Sequence, residues 1–162
     1  MKVNIETRAK KELGQPEYKR LLKLLYWLEE KLGIPSSTKL EVIVAHVDDS
    51  TRLGTVNAET AQNLKLMLNT RYYREENLNP VTGRCENWFT TACHEMVHVK
   101  QWSTYQLTAA GAYYWESKRY HSVAKDKLSY KEYTELPWEH EAFSRQDELY
   151  QEWLATGEPH SL

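Results

Sequence analysis

The sequence predicts an α+β fold, and three observations carry that prediction. A leucine-rich stretch with helical spacing, 17–32, leads into an alternating apolar segment, 39–47. A stretch without Pro or Gly, 86–102, places apolar residues at helical spacing around a pair of histidines. A third helical pattern starts at Pro137 and runs to about residue 155.

The elements follow in order. Pro16 opens the first helix, and Leu21, Leu22, Leu24, Leu25, Leu28 and Leu32 give it a broad apolar face. Gly33 and Pro35 end it. Lys19, Arg20, Lys23 and Lys31 form its solvated side. In 39–47, Leu40, Val42 and Val44 alternate with Glu41 and Ile43, the period of a strand. Asp48, Asp49, Ser50 and Gly54 mark a turn. Strands at 54–58 and 63–69 then complete a small antiparallel sheet. Residues 70–85, with Asn79-Pro80 and Thr82-Gly83, read as a loop.

The helix 86–102 takes Glu86 or Asn87 as its cap and Phe89, Ala92, Cys93, Met96, Val99 and Trp102 as its apolar stripe. Between 103 and 121 the run Ala109-Ala110-Gly111-Ala112 fits either a tight turn or part of a helix. A short polar helix over 125–134 leads into Pro137. From there Trp138, Ala142, Phe143, Leu149, Trp153 and Leu154 pattern an amphipathic helix, followed by a frayed tail over 156–162. With no repeat or linker, 1–162 reads as a single domain.

The central helix carries His94-Glu95-Met96-Val97-His98, an H-E-x-x-H. Histidines four apart leave one helix face about one turn apart, so both imidazoles can meet one metal ion. Glu95 follows the first histidine, where its carboxylate can reach a water on that metal without being a ligand. A catalytic zinc site needs a third protein ligand and an open position. A metzincin-type third histidine is excluded, because Gln101 and Thr104 stand where glycine and histidine are required. Cys93 points about 100° away from His94, which removes it too.

The best downstream candidate is Leu136-Pro137-Trp138-Glu139-His140-Glu141-Ala142-Phe143. A carboxylate in the first turn of a second helix can face the first helix and close a metal site. Here the chain resembles the gluzincin metallopeptidases, in which H-E-x-x-H is followed by a glutamate on a later helix. Its P-W-E-x-E-A form looks like that of the small, minigluzincin-like members from phages and bacteria. The resemblance implies a zincin-like fold, Zn²⁺ as cofactor, His94, His98 and Glu139 as ligands, and peptide-bond hydrolysis with Glu95 as general base. It further implies that an extended substrate pairs with a sheet edge in the 54–69 region. Glu141 is the alternative carboxylate. His121 is the alternative histidine, which would give a three-histidine site as in SprT-like peptidases. His140 and His46 are weaker candidates. Tyr105, Tyr113, Tyr114, Tyr120, Tyr130 and Tyr133 supply possible oxyanion donors.

Composition narrows the partners. A net charge of −2 without a dense Lys/Arg block gives no strong nucleic-acid signal. No C-x-x-C pair is present to build a zinc ribbon. No segment reaches membrane-spanning length, and Met1–Arg8 lacks the apolar core of a signal peptide. Two cysteines, Cys85 and Cys93, are eight residues apart and on one helix could not bridge, which fits a reducing cytoplasm. The chain has 6 Trp and 11 Tyr, enough to line a peptide cleft as well as a core. The expected partner is a peptide or protein substrate. The competing expectation is a zinc-binding domain without proteolysis, against which an intact Glu95 argues.

Overall fold

The computed structural model describes residues 1–6, 15–45, 54–69, 77–78, 85–86, 88–120 and 128–157. Their elements are β1 (Lys2–Ile5), α1 (Gln15–Leu32), β2 (Lys39–Ala45), β3 (Gly54–Thr60), β4 (Asn63–Asn69), β5 (Asn77–Leu78), β6 (Cys85–Glu86), α2 (Trp88–Ser103), β7 (Leu107–Ala109), β8 (Tyr113–Trp115), β9 (Lys118–Tyr120), α3 (Tyr130–Glu135) and α4 (Pro137–Ala155). The class is α+β, as expected.

The main sheet has the order β1-β2-β4-β3. It is mixed, not antiparallel as the alternation suggested. β1 and β4 run parallel to β2, and only β3 runs antiparallel to its neighbour β4. Composition explains the order. β4 reads Asn-Leu-Lys-Leu-Met-Leu-Asn and buries Leu64, Leu66 and Leu68, so it is stable between two strands. β3 reads Gly-Thr-Val-Asn-Ala-Glu-Thr, buries no residue fully, and takes the edge. A two-residue turn joins them, held by Thr60 Oγ1, which accepts from the backbone N–H groups of Gln62 at 3.3 Å and Asn63 at 3.1 Å.

α1 ends as expected. Gly33 takes a φ of 68°, Ile34 N–H donates to the Glu29 carbonyl at 3.0 Å, and Gly33 N–H donates to Glu30 at 3.3 Å, a Schellman closure. Its Leu21, Leu24, Leu25, Leu28 and Leu32 join the inner face of the sheet (Ile5, Leu40, Val42, Val44, Leu64, Leu66, Leu68), the apolar side of α2, and Ala142, Leu149 and Trp153 of α4 in one core. Leu66→Ala, at a fully buried position of the central strand, is expected to cost about 2–5 kcal/mol in urea unfolding without a change in slope.

Three local readings change. α2 begins at Trp88, and Glu86 lies in β6 rather than capping the helix; Cys85 is in β6 as well, off the helix. Between 107 and 120 the chain forms an antiparallel meander, so the Ala110–Ala112 run is a turn. Glu116 and Ser117, both with positive φ (49° and 70°), make its second, two-residue turn. Of the polar helix expected over 125–134, residues 125–127 lie outside the described residues, and α3 starts after Ser129, whose hydroxyl accepts from Glu132 N–H at 3.1 Å while the Glu132 carboxylate accepts from Ser129 N–H at 3.3 Å. His46, the 48–53 turn, Asn87, His121 and the tail beyond Gly157 lie outside the described residues.

Candidate metal centre

α2 is buried from Phe89 through Val99, and two stripes divide it. Phe89, Ala92, Cys93, Met96 and Val99 face the core. Thr91, His94, Glu95, His98 and Gln101 form a polar stripe at spacings of three and four, also buried. Buried polar groups persist only where partners meet them. For His94, His98 and Gln101 of this stripe, partners come from α4.

α4 starts at Pro137, whose missing N–H suits a first helical position. It buries Glu139, Ala142, Gln146, Leu149 and Trp153 along one stripe facing α2. Two polar residues, Glu139 and Gln146, thus meet the two histidines. His94, His98 and Glu139 bring ligand atoms within 4.8 Å of one another, close enough to hold a metal ion. His94 Nε2 and His98 Nε2 are 3.2 Å apart. Glu139 Oε1 is 2.9 Å from His98 Nε2, and Oε2 is 3.3 Å from His94 Nε2.

The outer ring nitrogens each meet a glutamine. Gln101 Nε2 donates to the Trp138 carbonyl at 2.9 Å and to Glu141 Oε1 at 3.1 Å. That fixes its amide, so Oε1 must accept from His98 Nδ1–H, at 2.8 Å. Gln146 Oε1 lies 2.7 Å from His94 Nδ1 and does the same there. With Nδ1 of each ring turned to a glutamine, Nε2 is the atom each ring turns toward Glu139, and it is the atom that would take a metal once any proton on it is displaced. Glu139 Oε2 is buried and has no hydrogen-bond partner. Three candidate ligand groups therefore lie together. The two Nε2 atoms lie 3.2 Å apart, and each has a different oxygen of the Glu139 carboxylate beside it, at 2.9 and 3.3 Å.

Electrostatics point the same way. Burial disfavours a charged His98, but the Glu139 carboxylate, and then Glu95, outweigh it and hold its pKa up at about 9. Burial also works against the Glu139 anion, yet His98 and His94 keep its carboxyl well below the usual range. The pocket is built for positive charge.

Glu95 is buried on the same helix but outside the three-residue cluster. Its charge acts on His98 and on the Tyr133 phenol. Tyr133, from α3, hydrogen-bonds Glu139; burial first, then the charges of Glu139 and Glu95, push its pKa up. Tyr133 thereby separates from the other tyrosines. Tyr105 is exposed, and Tyr113 and Tyr120 pack on Trp138 with ring centroids 5.6 Å away. Phe143 lies edge-on to His94 at 4.5 Å, flanked by Tyr130 and Tyr133 at 6.3 Å.

Glu141 is engaged elsewhere. It accepts from Lys100 Nζ at 2.9 Å as well as from Gln101, and these contacts hold its carboxyl below the ordinary range against the opposing effect of burial. It braces Gln101 rather than joining the cluster. His140 is exposed. Sequence reasoning missed Gln101 and Gln146, although both sit in phase with the buried stripes. Gln146→Leu is expected to preserve helix packing and to weaken metal binding about 10–100-fold in competition with a chelator.

No helix among the described residues is long and apolar enough to cross a membrane. Comparison with protein-family models, with curated proteins and with solved structures gives no match.

Proposed function

We propose that this protein is a zinc-dependent peptidase in which His94, His98 and Glu139 hold the metal and Glu95 is the general base. The reading rests on one observation above all. Two imidazoles fixed by Gln101 and Gln146 and a carboxylate with an unpartnered buried oxygen converge, beside a second buried carboxylate that takes no part in the cluster. A structural zinc site has no use for that second carboxylate.

When bound, zinc supplies Lewis acidity, acidifying a water and polarising a carbonyl. The chain's own residues do the rest. Glu95 takes the proton of the attacking water and returns it to the departing amine. Gln101 and Gln146 keep both imidazoles in one tautomer and orientation. Tyr133 donates its O–H to Glu139 and so orients that carboxylate. β3, the outer strand of the sheet and packed beside α2, offers its edge to an extended peptide. The resemblance to gluzincins in H-E-x-x-H and P-W-E-x-E-A supports the same assignment.

Elemental analysis of the purified protein, followed by hydrolysis of a peptide library with and without chelator, tests the proposal. Expected are one zinc per chain and cleavage that is lost on chelation and regained on reloading. No zinc after reconstitution overturns it; zinc without cleavage reduces the site to a binding one.

A further inference from the structure

Gly54 opens β3, pairs with Leu68 of β4, and lies against α2. Of the four described glycines, Gly33, Gly111 and Gly157 have positive φ and open space where a side chain would go. There the backbone conformation favours glycine. Gly54 is the opposite case. Its φ is ordinary, but a Cβ added to it would lie 2.9 Å from Thr91 Cγ2, 3.0 Å from the Met67 carbonyl oxygen and 3.2 Å from Glu95 Cγ. The neighbours alone exclude a side chain.

We propose that Gly54 is a positioning residue for Glu95: the bare backbone of β3 is the wall against which the stem of the base rests. The proposal builds on the assignment of Glu95 as general base. Thr91 and Glu95 are one turn apart on α2 and both face this point of the strand. The Met67 oxygen belongs to the backbone of the central strand, and Thr91 is β-branched with a stiff χ1. Of the three contacts, the Glu95 stem is therefore the one with freedom to turn. The metal-ligand atoms of His94, His98 and Glu139 are not among the three, so a methyl at position 54 presses on the base and spares the ligands. A displacement of about 1 Å at a reacting group costs on the order of 10²-fold in rate.

The test compares wild type, Gly54→Ala, and Gly54→Ala combined with Thr91→Ser, which deletes the tightest contact, Cγ2. Zinc content and zinc affinity are expected to stay at wild-type values in both variants. Gly54→Ala should lower kcat about 10²-fold with KM little changed, and lower Tm. In the double variant Tm should recover, while a deficit of about tenfold in kcat persists because the methyl still presses on Glu95. Recovery of Tm and kcat together would show that Gly54 serves only strand–helix packing and would overturn the proposal. Should the single variant fail to fold, the double variant carries the same comparison. Crystal structures supply a readout independent of turnover: the Glu95 carboxylate should move relative to His94, His98 and Glu139, and an unmoved carboxylate is a refutation. If wild type cleaves no peptide at all, the peptidase assignment fails while this structural comparison still decides the role of Gly54.

Discussion

Replacing Glu95 with Gln is expected to leave one metal ion per chain and to lower peptide hydrolysis about 10²–10⁴-fold. The amide keeps the shape of the carboxylate, so the fit of this buried side chain beside Gly54 of β3 survives. On the proposed mechanism, what is lost is a base: an amide oxygen does not take a proton from water at neutral pH. The ligand atoms belong to other residues, which is why metal content and turnover should separate. Elemental analysis beside a fluorogenic peptide assay reads both. Retained turnover would remove Glu95 from the mechanism, and lost metal would make it part of the metal site.

Glu139→Ala is expected to strip the metal. It removes the one anionic member of the cluster, leaving two neutral imidazoles whose affinity falls by at least about 10²-fold, more than the loss of an orienting glutamine. Glu141→Ala is the informative control. It stands two residues on along the same helix, but its partners are Lys100 and Gln101, so it should keep full metal content with a modest loss of affinity passed through Gln101. A reversal of the two results would exchange the roles of the carboxylates. Full metal in both would direct attention to His121.

The parts of the molecule legible in the sequence are those where one chemical period persists for several turns. The leucines of α1 and the stripes of α2 and α4 are of this kind, and the motif on α2 followed from spacing alone. The resemblance in P-W-E-x-E-A pointed to Glu139, which the structure brings to the two histidines. Strand direction was not legible. Alternation reports which face is buried, not which neighbour a strand chooses, so the insertion of β4 between β2 and β3 could not be read from it. β1 went unnoticed although Val3 and Ile5 alternate with Lys2 and Asn4, because four residues fall below the length at which alternation stands out. The three-residue strands of the meander failed for the same reason. Gln101 was noticed only as the residue that breaks the metzincin pattern. Its role depends on Trp138 and Glu141, some forty residues away, which no local reading connects.

The contact between His98 and Glu139 joins two helices across 41 residues of chain, a stretch that contains the whole meander and α3. An ion held there acts as a reversible staple. By analogy with a covalent cross-link closing a ring of that size, it removes unfolded-state entropy worth about 3–4 kcal/mol. The gain is local. β1, β2 and β4 pair without it, whereas the meander packs on Trp138, one residue before the staple, as well as on Trp102 of α2. Chelation should therefore leave amide exchange in the central strands slow and speed it between residues 104 and 138. In that segment a bound metal would govern resistance to added proteases.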